Sequence, residues 1–341
     1  MADSTSALKS MAAIALAAFF CALGSAGAKQ PTALSPQAAW YAAYLKDSRL
    51  VPLPDGRSLN LYCVGTGSPT VMLESGLGGG AYDWRAVQHK IAAQTRVCSY
   101  DRAGYGKSSP GPLPRDARAE VADFEALLKS ADLRGPYVLV GHSMGGGYIV
   151  RLFAERHLED VAALVLIDPS VENQIPIFEA ALPVIGEGAR KSLANAQRCG
   201  VPNPSADLLK DCTKAVPEGF PPDLAAAWIT AHGAADVQTW TSEMQSFFTL
   251  DSSEVAAERR TFGSAPLIIL TRGERSTNMT KEQAETEWTL WNKLHDDLAK
   301  LSTAGVNRVV PGANHYIHLD QPDAVVQAVN EAVMAARQHR N

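Results

Sequence analysis

No run of lysine and arginine occurs in this 341-residue sequence, and the formal charge is −5. A basic face of the kind that tracks nucleic acid is therefore excluded. There is no H-E-x-x-H and no G-x-G-x-x-G, so a zincin-type metal and a dinucleotide cofactor both lack their usual anchors. Neither metal nor cofactor is expected. No repeat or low-complexity linker is visible, which argues against a solenoid or a string of modules. Charged residues make up only 20% and hydrophobic residues 46%. That balance excludes a disordered chain and is enough for a large core.

Long hydrophobic runs are also scarce. Residues 11–23 form an apolar stretch of signal-peptide length, preceded by Lys9 and followed by the small-x-small site Ala26-Gly27-Ala28. Residues 1–28 are expected to be a signal peptide cleaved after Ala28, with export to the periplasm or the medium and no stable membrane span afterwards. An uncleaved anchor is the alternative.

Cysteine is sparse but even. With Cys21 removed in the export segment, Cys63, Cys98, Cys199 and Cys212 remain. An even set in an oxidising compartment invites disulfides, and four cysteines allow three connectivities. The closeness of Cys199 to Cys212 favours that pair and leaves Cys63 with Cys98; four buried thiols are the alternative.

Apolar strand-like runs lie at 59–64, 69–73, 96–100, 137–140, 161–167, 266–270 and 306–310. Helical patterns lie at 33–46, 84–93, from about 116 to 131, 144–156, 281–301 and 322–338. Such alternation implies an α/β protein with a mostly parallel sheet covered on both faces. Residues 170–262 break the alternation with helical, proline-rich sequence. They are expected to be a helical lid inserted after the sixth strand, dividing the core into residues 29–169 and 263–341, with ligands bound at the carboxyl edge of the sheet.

The sharpest motif is Gly141-His142-Ser143-Met144-Gly145, a G-x-S-x-G between the strand 137–140 and the helix 144–156. That context is the one in which a strained turn lifts a serine hydroxyl clear of the backbone as a nucleophile. The oxyanion donors are expected to be the backbone N–H groups of Met144, after the nucleophile, and of Leu77, in the glycine-rich loop after 69–73. Of eight histidines, the base should follow the last strand, in Pro311-Gly312-Ala313-Asn314-His315. His315 is preferred, and His318 is read as a surface or supporting residue. Asp101-Arg102 reads as a loop anchor, and Trp84 as packing beneath the oxyanion loop. Trp228, Trp240 and Phe247-Phe248 could line a pocket or fill the core.

Taken together, the segments PTVMLESGLGGGAYDW, YDRAGYGKSSPGPLP, YVLVGHSMGGGYIVRLFA, LVLIDPS, PLIILTRG and GANHYIHLDQPDAV resemble the α/β-hydrolase superfamily in its lidded esterase/lipase-like branch. The resemblance implies an eight-stranded sheet of order 1-2-4-3-5-6-7-8, in which Cys63 and Cys98 lie on neighbouring strands. It departs from the pattern of many relatives at the oxyanion loop, where Ser75-Gly76 replaces His-Gly, and after the seventh strand, where Ser276 occupies the usual place of the acid. Two acids are open: Asp168, ending the sixth strand, which is preferred, and Glu274. The implied activity is hydrolysis of small or hydrophobic carboxylic esters through an acyl-enzyme on Ser143. Peptidase, amidase or thioesterase chemistry on the same fold is the alternative within enzymes, and a non-catalytic binding protein is the alternative outside them. Epoxide hydrolase or dehalogenase chemistry is disfavoured, because relatives of those kinds carry aspartate where Ser143 stands. The partner implied is a small-molecule ester.

Overall fold

The structure of the protein is a computed structural model that describes residues 33–201 and 203–338; the expected export segment lies outside them. The strands are β1 (Arg49–Pro52), β2 (Ser58–Val64), β3 (Thr70–Glu74), β4 (Val97–Tyr100), β5 (Tyr137–His142), β6 (Val161–Ile167), β7 (Leu267–Arg272) and β8 (Gly305–Val310). They form one sheet of order β1-β2-β4-β3-β5-β6-β7-β8. β2 runs antiparallel to β1 and β4, and the other pairings are parallel. This is the order that the resemblance implied. Pattern alone missed β1, because it is a short, mostly exposed edge strand ending in Pro52, with too little buried surface to show a period.

Two short helical turns, Ala81–Ala86 and α2 (Gln88–Ile91), follow α1 (Pro36–Asp47); then come α3 (Ala117–Ser130) and α4 (Arg151–Arg156). Among the described residues, six helices lie between β6 and β7: α5 (Gln174–Ala181), α6 (Pro183–Cys199), α7 (Ala206–Cys212), α8 (Pro222–Ala231), α9 (Ala234–Thr249) and α10 (Asp251–Glu258). The chain closes with α11 (Lys281–Ala299), α12 (Ile317–Asp320) and α13 (Pro322–Gln338). α11 starts at a reciprocal cap between Thr280 and Gln283, which satisfies two otherwise orphaned N–H groups.

β5 is buried at every residue, so its side chains alternate between two apolar layers. Leu139, with Leu164 and Ile269 of the neighbouring strands, packs against Phe124, Phe153 and Trp291. Val138 and Val140 pack with Trp84, Ile91 and the α13 residues Val325, Val329 and Val333. A third, aromatic cluster joins α1 to α8 through Trp40, Tyr41, Tyr44 and Trp228.

Cys63 and Cys98 form a disulfide across the β2–β4 pair, where they are direct partners in register. Cys199 and Cys212 form a second, tying the end of α6 to the end of α7. Disulfides persist in oxidising compartments, which points to an extracellular or periplasmic protein. Among the described residues, no helix is long and apolar enough to cross a membrane.

Arg102 is 1% exposed. Its guanidinium donates to Glu74 Oε1 at 2.6 Å, to Ser75 O and Gly76 O at 2.8 Å each, and to Glu243 Oε1 at 2.8 Å and Oε2 at 3.1 Å. Glu74 ends β3 and Glu243 lies on α9, so one buried cation fastens the six-helix insertion to the sheet. Removing one partner of such a group leaves the others charged and dry. Arg102→Met should therefore lower the unfolding free energy by about 3–5 kcal/mol, measured from urea unfolding curves; a loss near zero would show that the network carries no stability.

Candidate active site

At the end of β5 the chain turns sharply. Ser143 has φ +51°, a left-handed conformation uncommon for a residue with a side chain. The turn is possible because the following helix sits hard against the loop after β3. A Cβ on Gly145 would collide with Ser75 O, and one on Gly76 would lie 3.1 Å from Ser143 Cβ. Glycine at these two positions lets two backbones approach to contact. The helix opens with a wide π-wound turn, Gly145–Val150, and tightens into α4.

The hydroxyl so presented meets His315. Ser143 Oγ lies 3.0 Å from His315 Nε2, and His315 Nδ1 lies 2.7 Å from Asp168 Oδ2. Asp168 is fully buried and itself left-handed, with φ +42°. It also accepts from Trp291 Nε1 at 2.8 Å, from Arg272 N at 3.1 Å and from Arg272 Nη1 at 3.2 Å. Burial pushes its carboxyl up, but the hydrogen bond and charge of His315 and the charge of Arg272 outweigh that and hold it well below the usual carboxylate range. Glu274 is exposed, and its backbone N–H bonds Ala313 O at 3.0 Å. The structure thus brings Ser143, His315 and Asp168 into one hydrogen-bonded chain and leaves Glu274 outside it.

His318 is not a surface residue. It is wholly buried, its ring 4.9 Å from that of Trp84 and 4.6 Å from that of His142. Neither of its nitrogens has a hydrogen-bond partner among the described residues, and burial lowers its pKa to about 3. His142 is likewise buried and held neutral, its pKa pushed far down by burial. Its Nε2 lies 3.0 Å from His315 O, so Nε2–H donates to that carbonyl and braces the backbone that carries the candidate base.

Of the two nominated oxyanion donors, Leu77 lines the same cavity as Ser143 and Met144 follows Ser143 in the chain. The Leu77 N–H has no partner among the described residues, and Met144 begins the helix, where N–H groups have no intrahelical acceptor. The Leu77 loop is held from behind. Arg102 takes the carbonyls of Ser75 and Gly76, Gly78 N–H donates to Glu243 Oε2 at 3.0 Å, and Ser75 Oγ donates to Gly80 O at 2.8 Å. Arg102 anchors the loop, as its position beside Asp101 suggested, but Glu243 could not be foreseen because it lies 141 residues away. Arg272 and Trp291, which buttress Asp168, also escaped the sequence reading. The one available signal was Arg272 at the end of β7, next to the expected place of the acid.

A cavity of about 420 Å³ opens over Ser143 and His315, with Leu77, Asp83, Lys214, Asp236, Trp240 and Tyr316 in its walls. α9 presents Asp236, Trp240 and Glu243 at i, i+4 and i+7, one face of a helix. Trp240 covers the loop at Gly78, where a Cβ would lie 2.9 Å from its ring. Trp228 instead packs on Tyr41 and Phe220, and Phe247 on Tyr148.

The chain matches a model of the alpha/beta hydrolase family over residues 71–328, well over half its length. It is 27% identical over 274 residues to the uncharacterized protein YqjL of Bacillus subtilis (strain 168), covering 80% of this chain and 87% of that one. Among solved structures, a thermophilic esterase from Thermogutta terrifontis superposes with a TM-score of 0.57 at 21% identity, over 85% of this chain and 98% of the esterase. An enol-lactonase from Burkholderia xenovorans LB400 superposes with a TM-score of 0.55 at 17% identity, over 84% and 100%. At such identities the likeness to the solved structures concerns the fold. The family match, however, runs from β3 to β8 and takes in the Ser143 turn, Asp168 and the His315 loop: this chain belongs to the alpha/beta hydrolase family.

Proposed function

We propose that the protein is a serine hydrolase that cleaves carboxylic esters through an acyl-enzyme on Ser143. The observation that carries this reading is the unbroken chain from Ser143 Oγ through His315 to Asp168, at 3.0 and 2.7 Å. His315 Nε2 removes the hydroxyl proton as Oγ attacks the ester carbonyl. The carbonyl π pair moves to oxygen, and the Leu77 and Met144 N–H groups receive the negative charge. His315 then passes its proton to the departing alcohol. Water, activated by the same nitrogen, attacks the acyl-enzyme and frees Ser143. Asp168 stays ionised, keeps the proton of neutral His315 on Nδ1, and stabilises the imidazolium.

Three further parts of the molecule support the reading. The Ser75–Gly80 loop is pre-set by Arg102 and Glu243, so its donors need no rearrangement when charge develops. The insertion walls the cavity from the side opposite the sheet, and so acts as the lid. His142, buried and neutral, holds the His315 backbone without competing for the Ser143 proton.

A fluorophosphonate should add once to the wild-type protein and not to Ser143→Ala, as read by intact mass. No adduct on correctly folded wild type would overturn the mechanism and favour a binding protein on this fold. With p-nitrophenyl esters of graded chain length, Asp168→Asn should lower kcat by about 10⁴-fold, because the wrong tautomer of His315 then faces Ser143. Glu274→Gln should leave kcat near the wild-type value. The reverse pattern would transfer the acid role to Glu274.

A further inference from the structure

The cavity over Ser143 is not a plain apolar slot. Leu77, Val237 and Trp240 supply apolar wall, but Asp83, Asp236 and Lys214 line the same space. Two acidic side chains therefore share this space with one ammonium; burial raises the Asp83 carboxyl, and the charges of Lys214, Arg85 and Arg102 oppose that rise.

The two carboxylates belong to different parts of the fold. Asp83 lies in the turn Ala81–Ala86, and its Oδ2 is so close to the oxyanion loop that a Cβ on Gly79 would strike it. Asp236 opens α9, with its side chain 7% exposed. Its Oδ2 is buried and makes no close hydrogen bond among the described residues, its nearest cation being Lys214. Lys214 Nζ stands 3.5 Å from that oxygen, on a side chain that is 37% exposed, and 5.1 Å from the centre of the Tyr105 ring. One long ion pair leaves a buried carboxylate oxygen with room for a closer donor, which a ligand can supply.

Given the reading of Ser143 as nucleophile, on which this rests, we infer that the insertion side of the cavity is a cation subsite: Asp83 and Asp236 receive a primary ammonium group of the ester substrate. An ammonium brings three donors and a second positive charge beside that of Lys214. An anionic substrate would find Lys214 but would face both carboxylates.

The charged and titratable groups around Asp236 are Lys214, His232 with Nε2 3.9 Å away, Glu243, Asp101 and Tyr105. His232 is held neutral by burial, with a pKa of about 4. Glu243 is committed to Arg102, and Asp101 accepts from Tyr44 and Asn60. Burial raises Asp236 to about 6. It is therefore a carboxylate above that pH and neutral below it, so preference for a cation should strengthen as pH rises through about 6.

The test compares matched p-nitrophenyl esters whose acyl chains end in ammonium, methyl or carboxylate, as kcat/KM of the full protein above about pH 7. The ammonium ester should lead the methyl ester by about tenfold. Asp236→Asn should shrink that ratio and Lys214→Met should enlarge it, and in the wild type the ratio should fall on acidification. A ratio near one, or a lead for the carboxylate ester that Lys214→Met abolishes, overturns the cation subsite while leaving the serine mechanism standing. If no ester is turned over and no fluorophosphonate adduct forms, the mechanism fails by itself. Calorimetry with hexylammonium against hexanol then decides the subsite. Tighter binding of the ammonium, lost in Asp236→Asn, upholds the subsite, and equal binding overturns it.

Discussion

The guanidinium of Arg102 is the contact on which the site depends. It is buried, and a buried cation must have every donor met and its charge matched. The partners that meet it are Glu74 at the end of β3, two carbonyls of the loop over Ser143, and Glu243 on α9. Sheet, loop and insertion are thereby fixed by one planar fork. Lysine could not take its place, since a point charge on a flexible stem does not hold several acceptors in one plane.

Ser143, Asp168 and His315 converge because parallel strands end together. Gly141 pairs with Leu166 and His142 with Ile167, so the next residues, Ser143 and Asp168, leave the sheet side by side. Both have positive φ, and both turn away from the strand direction at the point where their side chains are needed. The loop after β8 carries His315 between them. Strain at two adjacent strand ends is the local cost of this arrangement, and close packing around Gly145 and the hydrogen bonds to Asp168 hold it in place.

Much of this was legible in the sequence. The strand, G-x-S-x-G and helix in succession mark Ser143 because the turn needs glycines just where they stand. The alternation of apolar runs marks the sheet. The acid was less legible: Asp168 and Glu274 both follow strands, and only the register of β6, β7 and β8 determines which carboxylate meets Nδ1. His318 read as a surface or supporting residue because polarity is visible in a sequence, whereas enclosure by Trp84 and His142 is not. The helices of the insertion were visible as pattern. Which face of α9 turns to the cavity was not, because that face mixes Asp236 and Glu243 with Trp240 and is held by Arg102 rather than set by hydrophobic period.

Glu243 has a consequence for how such a chain can diverge. Asp236 and Trp240 shape the cavity, and Glu243, on the same face of α9, binds Arg102, Tyr105 and the Gly78 N–H. The first two line the cavity and make no hydrogen bond to Arg102 among the described residues, so a substitution there changes the cavity wall without touching that network. A substitution at Glu243 strikes the scaffold and the loop over Ser143 at once. One helix thus carries two separate duties, cavity wall at Asp236 and Trp240 and scaffold at Glu243, a turn apart along its length.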